Sequence, residues 1–540
     1  VQVSSFQPWA APGDTPPPPV KKAALKQPPV GGPWSTISTS FTASTMLLLT
    51  DGRLMVQAEN DPAWWLLTPD STGSYLNGTW AQAASMSKGR LYYCSAVLKD
   101  GRVLVLGGEY TGAAGQTEDH TGEIYDPVGN SWSSIPGPPS WADVGDAACS
   151  VLPDGRVLVG SILDGRSAIL DTSTPTPSWA DGGTKQAASD EESWVMLPDG
   201  SMVTVDCNSS RQGRYTLWNN NTWIDGGTIP TSLVEASSQE IGPALRLPSG
   251  KVMFFGATGH TAIYTPGATA GAPGSWIVGP DMPMDANGQV VAKDTPAVLL
   301  TNGHILFTGS SEGSSGWGGP TNFYDVDTTA NPMTFTATTN PPNNAQPPYE
   351  GRLMLLPTGQ VVYSQGSAQL AVMNPGVTAT VPKPTITSAP TQSTAGATFQ
   401  VAGTGFTGVS QTVAYGDDAS QNTSYPLVRL TSTGSPATVR YARTHGHSTM
   451  AIATGSATVT TNVDVPSNLA NGTYQMQVVT NGVASSPVNI TIGTMSCTGC
   501  VDSSGCEAGN TNNACGSGGN QCQVCPSGTT CNNGACVTAQ

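Results

Sequence analysis

The chain has 540 residues, with 63 Gly, 43 Pro and only 11% charged side chains, and a formal net charge of −16. So few helix-forming charged residues among so many small and turn-forming ones exclude a helical bundle and point to an all-β protein. The acidic balance works against nucleic-acid binding, which needs Lys and Arg to neutralise phosphates, and no apolar run is long enough to span a membrane.

Residues 1–33 are Pro-rich (TPPPPVKKAALKQPPVGGP) and read as an extended N-terminal arm. The chain opens at Val1 rather than Met, which reads as a product whose signal peptide has been removed. Over 34–380 one hairpin signature recurs seven times, from LLLTDGRLMV at 47–56 and AVLKDGRVLVLGG at 96–108 to LMLLPTGQVVYSQG at 353–366. Each copy is an apolar strand, a two-residue turn ending in Gly, and a second β-branched strand. The turn residues before Gly are Asp51, Asp100, Asp154, Asp199, Ser249, Asn302 and Thr358, about 50 residues apart, the spacing of four-stranded propeller blades. A second repeat interleaves with the first: Trp34, Trp80, Trp132, Trp179, Trp223, Trp276 and Phe335 each mark an outer strand. Trp34 precedes every hairpin, so it is expected to complete the seventh blade and close the ring, with all these aromatics filling gaps between blades.

After PKPTI the pattern changes to shorter alternating strands, and 381–493 fit an immunoglobulin-like β-sandwich. In 494–540, eight of the eleven cysteines (Cys497, Cys500, Cys506, Cys515, Cys522, Cys525, Cys531 and Cys536) lie among Gly, Ser and Asn. With almost no apolar residues to make a core, this segment reads as a module of four disulfides. The two C-x-x-C pairs leave a zinc ribbon as the competing reading. Cys94, Cys149 and Cys207 are far apart and read as small buried apolar residues. Such cysteine usage implies an oxidising compartment, so the protein is expected outside the cell or at its surface.

With GGEY at 107–110 and GEIYDPVGNSW at 122–132, the blades resemble kelch repeats, specifically those of the galactose oxidase/glyoxal oxidase family of copper radical oxidases. The resemblance covers roughly 34–493 and implies a seven-bladed propeller followed by an immunoglobulin-like domain that contributes one ligand toward the axis. Counting back from the turns, it implies a radical tyrosine at Tyr92, a stacking aromatic at Tyr110, and an axial tyrosine at Tyr349. Glu350 stands where the family has a histidine, and Thr444-His445 matches the inserted pair, with His447 as a second choice. Ala43 stands where the cross-linking cysteine belongs, so no Tyr–Cys cofactor is expected; Cys94, near Tyr92, points deeper and makes no substitute. A metal at this mouth would meet Tyr92, Tyr349, Glu350 and His445. It would be copper by resemblance, and Mn, Fe, Zn or Ca also suit the donors.

The same count puts carboxylates at the mouth from other blades: Asp146, Glu191 with Glu192 beside it, Glu240 and Asp294. With Glu350 they ring one end of the axis, where like charges raise one another's pKa or recruit a cation. The alternative for these acids is pairing with Arg90, Arg352 and Lys293. Three functions remain open. The first is a secreted glycan- or surface-binding protein with a degenerate oxidase site and an acidic, metal-binding pocket. The second is a copper-dependent alcohol or aldehyde oxidase producing hydrogen peroxide, and the third a carboxylate-based glycan hydrolase or lyase. A carbohydrate or cell-surface polymer is the expected partner.

Overall fold

The computed structural model describes residues 34–311, 317–409, 424–493, 499–502 and 505–538; the Pro-rich arm lies outside them. The only helical pieces among the described residues are two short 3-10 turns, Gly112–Ala114 and Pro348–Glu350. Seven four-stranded antiparallel units follow one another along the chain. In the fourth, Trp194–Met196, Met202–Val205, Arg214–Asn219 and Thr222–Thr228 pair in sequence order. Burial falls from axis to rim: the first two strands of this unit are wholly buried, whereas Thr222–Thr228 has no buried residue. The inner strands pack on both faces and so read as continuous apolar runs, as two-sided burial requires.

Ring closure takes the form the sequence implies. The 15-residue strand Trp34–Leu48 pairs at its start with Ser367–Met373 of the last blade, Trp34 opposite Met373. After a register shift it continues as the innermost strand of blade one, Met46 opposite Val56. One strand therefore belongs to two blades and leaves neither end unpaired. The outer-strand tryptophans clasp neighbouring blades. Trp132 Nε1 donates to the Ala84 carbonyl at 2.8 Å, Trp179 to Pro136 at 3.0 Å, and Trp223 to the Ser167 hydroxyl at 2.9 Å.

Each hairpin turn is one residue longer than the sequence suggests. Leu49 N–H donates to the Arg53 carbonyl and Gly52 N–H to the Leu49 carbonyl, which makes a three-residue loop with glycine in the left-handed region. The Asp51 carboxylate accepts from Arg53 N–H at 3.1 Å, so aspartate before glycine stabilises the longer loop.

Strands from Thr385 to Ile492 form the sandwich, in which Val439–His445 pairs with Leu427–Ser432 over its first part and with Thr458–Asp464 over its last. Its own core includes Val401, Phe406, Val428, Val459, Met476 and Ile490. The sandwich covers the turn-bearing face of the propeller. Thr444 N–H donates to the Thr50 carbonyl, Gly446 N–H to Lys99 and Met450 N–H to Pro153. Glycine is required at position 52, where an added Cβ would fall 2.4 Å from the Tyr441 ring.

The cysteines correct one expectation. Cys94 and Cys149 are bonded to each other, which ties the innermost strands of blades two and three. Both lie just inside the axial mouth in adjacent blades, two residues after Tyr92 and three after Asp146, and this proximity is what a reading of isolated cysteines missed. Cys207 is free and buried. In the C-terminal module Cys500–Cys522, Cys515–Cys531 and Cys525–Cys536 are disulfides and Cys506 is also disulfide-bonded; Cys497 lies outside the described residues. Both halves of the Cys522/Cys525 pair are thus oxidised, which removes them as zinc ligands.

Candidate functional site

The end of the axis away from the sandwich is where the innermost strands begin, and there the chain bends sharply in several blades. Tyr92, Glu191 and Asp294 occupy equivalent places and all have positive φ, at 53°, 56° and 49°. For residues with a Cβ this conformation is unfavourable, and its recurrence at one ring of positions marks a place where surrounding structure imposes it.

The four expected acidic residues meet. Glu191, Glu240 and Asp294 bring one carboxylate oxygen each to within 4.8 Å of one another, and Asp146, Asp190 and Glu191 do the same. The ring is larger than the sequence count suggests. Burial first, then Glu118, Asp190 and Asp294, raise the Glu109 carboxyl to about 7, against a hydrogen bond with Tyr110. Burial and then Asp294 raise Asp190 to about 6. Asp146 is pushed up by burial and then by Asp190, Glu118 and Glu109. On the far side, burial and then Glu59 raise Glu350, opposed by Arg352. Glu59, Glu109 and Glu118 escaped the count because they lie in loops outside its register, and Asp190 because it sits one residue before the counted Glu191; GGEY, with Glu109 directly after the double glycine, was the available signal.

The cations do not pair as expected. Arg90 is fully buried and pairs with Asp119 at 2.5 Å and Glu123 at 3.6 Å, neither of them an acid that the count named. Arg352 lies 5.4 Å over the Tyr92 ring and Lys293 5.3 Å over the Trp317 ring. Aromatic side chains form a wall: Tyr92 is edge-on to Tyr110 at 6.1 Å, and Trp317 edge-on to Tyr349 at 5.5 Å. Tyr92, Tyr110, Tyr349 and Glu350 therefore share the mouth with the acids.

His445 does not join them. Its Nε2 lies 3.1 Å from Asp464 within the sandwich, and the adjacent Gly446 is bonded to Lys99 at the turn end of blade two. Seven residues of mostly extended chain, at about 3.3 Å each, separate Lys99 from Tyr92, which puts His445 on the order of 20 Å from the mouth. His447 is no substitute: it is wholly buried, hydrogen-bonded to Thr461 at 2.9 Å, and held down to about 3, chiefly by burial. The segment after His445 lies across the turns, where Ala451 accepts from Arg246, and does not thread the axis. The donors left at the mouth are carboxylates and phenols. Copper, the metal that the resemblance implies, does not fit such an all-oxygen set, because Cu(II) selects imidazole nitrogen.

A kelch motif matches residues 90–139, which hold most of blade two. Galactose oxidase of Gibberella zeae is 33% identical over 86 residues, spanning 16% of this chain and 12% of that protein's length. Among solved structures, a fungal alcohol oxidase of the AA5 family in complex with copper is 16% identical, with 84% of this chain and 85% of that one covered, at a TM-score of 0.32. YCF48 from Cyanidioschyzon merolae is 9% identical, with 64% and 99% covered, at a TM-score of 0.39. The chain is thus a closed seven-bladed propeller that carries a kelch motif in blade two and is similar, over a short stretch, to galactose oxidase.

Proposed function

We propose that this is an extracellular, cation-dependent glycan-binding protein whose site is the acidic mouth of the propeller. The observation that carries the reading is the convergence of Glu191, Glu240 and Asp294 from three successive blades. Hard oxygen donors at that spacing suit Ca²⁺, Mg²⁺ or Mn²⁺, and a bound cation would relieve the mutual repulsion that raises the neighbouring carboxyl groups. The rings of Tyr92, Tyr110, Trp317 and Tyr349 offer apolar faces to a pyranose, while carboxylates accept its hydroxyls. Seven oxidised cysteines among the described residues of the C-terminal module favour an oxidising, extracellular setting.

An oxidase reading draws on kinship with galactose oxidase, but Ala43, Glu350 and the distant His445 remove the cross-link and both imidazoles it would need. A glycan hydrolase or lyase is the second reading, favoured by Glu109, which near pH 7 holds a proton beside other carboxylates and so has the character of a general acid.

Calorimetric titration of Ca²⁺ into chelator-stripped protein, followed by polysaccharide arrays probed with and without chelator, tests the proposal. One calcium per chain and glycan retention abolished by chelator, with both lost in Glu191→Gln, are expected. Retention indifferent to chelator and to that substitution would refute it, and release of new reducing ends would favour the hydrolase.

A further inference from the structure

Within that glycan-binding reading, on which this one rests, we infer that the ligand is a neutral oligosaccharide chain whose units beyond the mouth lie in a cleft between blades two and three. The cleft is a cavity of about 440 Å³, and its lining includes Pro138, Pro139, Ser140, Trp141, Trp179 and Asp181. Trp141 is buried and Trp179 half-buried, whereas Ser140 and Asp181 are exposed. Indole and proline faces take the C–H face of a pyranose, and a hydroxyl and a carboxylate beside them take its hydroxyls. The link that lines the cleft leads to the mouth. Trp141 and Asp146 are five residues apart, at most about 18 Å of chain. Between them Asp143 faces Glu118: burial first, then Asp190 and Asp143, raise the Glu118 carboxyl against a hydrogen bond from Gln116. Oxygen acceptors thus continue from the mouth to the cleft.

Blade four shows the same local design closed by its own side chains. Its outer strand carries WIDGGT at 223–228 where blade three carries WADGGT at 179–184, with the same shift in register. In each, a glycine N–H donates to the aspartate, Gly227 to Asp225 at 3.0 Å and Gly183 to Asp181 at 2.9 Å. Asp225 is then held by Arg211 at 3.2 Å and by Arg214 at 2.6 Å, and Arg211 reaches on to Gln186, in the link from blade three, at 2.8 Å. In blade three the loop between the second and third strands is shorter, 161–165 against 206–213, and holds no counterpart of Arg211. Arg166, the counterpart of Arg214, pairs with Asp164 at 2.9 Å and lies over the Trp141 ring at 5.8 Å. Asp181 forms no ion pair among the described residues, and its exposed carboxylate is open to hydroxyl donors. An anionic sugar would meet that carboxylate as a like charge, so a neutral chain is the one that fits.

The test titrates the disaccharide and the hexasaccharide of the cello and manno series, and hexagalacturonate, into calcium-loaded and chelator-stripped protein by calorimetry. In at least one neutral series the hexasaccharide should bind calcium-loaded protein about tenfold more tightly than its disaccharide, and Trp179→Ala and Asp181→Asn should each abolish that gain. Both variants should leave disaccharide and calcium binding unchanged; Asp181→Asn guards against loss of the clasp that Trp179 makes with Pro136. Equal binding of the two lengths, a gain that survives both variants, equal weakening of both lengths, or preference for hexagalacturonate would overturn the assignment. Calcium uptake with disaccharide binding and no gain for the hexasaccharide would sink the cleft and leave the mouth standing. No calcium uptake, with hexasaccharide binding that Trp179→Ala abolishes, would sink the mouth and leave the cleft. Calcium uptake with no saccharide bound would overturn both.

Discussion

Glu191 and Glu192 are neighbours in sequence and belong to opposite electrostatic regimes. Glu192 lies inside blade four, ion-paired to Lys185 and accepting from Trp194 Nε1 at 3.0 Å. The network runs on from Lys185 to Asp206 at 3.2 Å, from Arg211 to Asp206 at 3.0 Å and to Asp225 at 3.2 Å, and closes with Arg214 on Asp225. Three acids there face three bases. One residue earlier the backbone kinks to positive φ and delivers Glu191 to a mouth where acids meet acids and the two local cations rest on rings. The balanced cluster fixes the blade; the other gathers the carboxylates of three blades at one place.

Breaking the balanced cluster should have the largest effect. Lys185→Met leaves Glu192 and Asp206 buried beside Arg211 alone, and a loss of about 3–5 kcal/mol is expected in denaturant unfolding. The raised carboxyl groups of the mouth predict the pH response of cation-free protein. Glu109 at about 7 and Asp190 at about 6 hold protons more tightly folded than unfolded, so their contribution is complete below about pH 4 and is lost as pH rises through 6 to 7. The melting temperature of stripped protein should therefore fall across that window, and the double variant Glu109→Gln, Asp190→Asn should flatten the fall. Saturating calcium should reverse it.

Removing one charge from the mouth sharpens the contrast further. Glu191→Gln should stabilise the cation-free protein by on the order of 1 kcal/mol, the reverse of what Lys185→Met does, while weakening calcium more than about tenfold. The smallest effect is expected at His445. Its partly exposed pair with Asp464 is worth less than about 1 kcal/mol, so His445→Ala should barely move the melting temperature and leave calcium affinity unchanged.

These two regions were unequally legible in the sequence. The blades, the closing strand at Trp34 and the convergence of Asp146, Glu191, Glu240 and Asp294 follow from one count, because hairpin turns set a fixed register for the inner strands. The balanced cluster was invisible to that count: Lys185, Arg211 and Asp225 come from parts of blade four that turn-counting does not index. Trp317 and Glu109 lie in loops whose lengths obey no repeat. His445 misled for a different reason. A Thr-His pair fixes a motif but not where the loop carrying it travels, and here that loop lies flat on the turns, held by Lys99 and Pro153.

The central claim is that the mouth is a cation site built from three blades, and diffraction tests it most directly. Crystals grown with MnCl₂ and measured for the anomalous signal of manganese should show one peak among the carboxylates of Glu191, Glu240 and Asp294. A peak at Tyr92 and His445, or none at the mouth while manganese binds elsewhere, would contradict it.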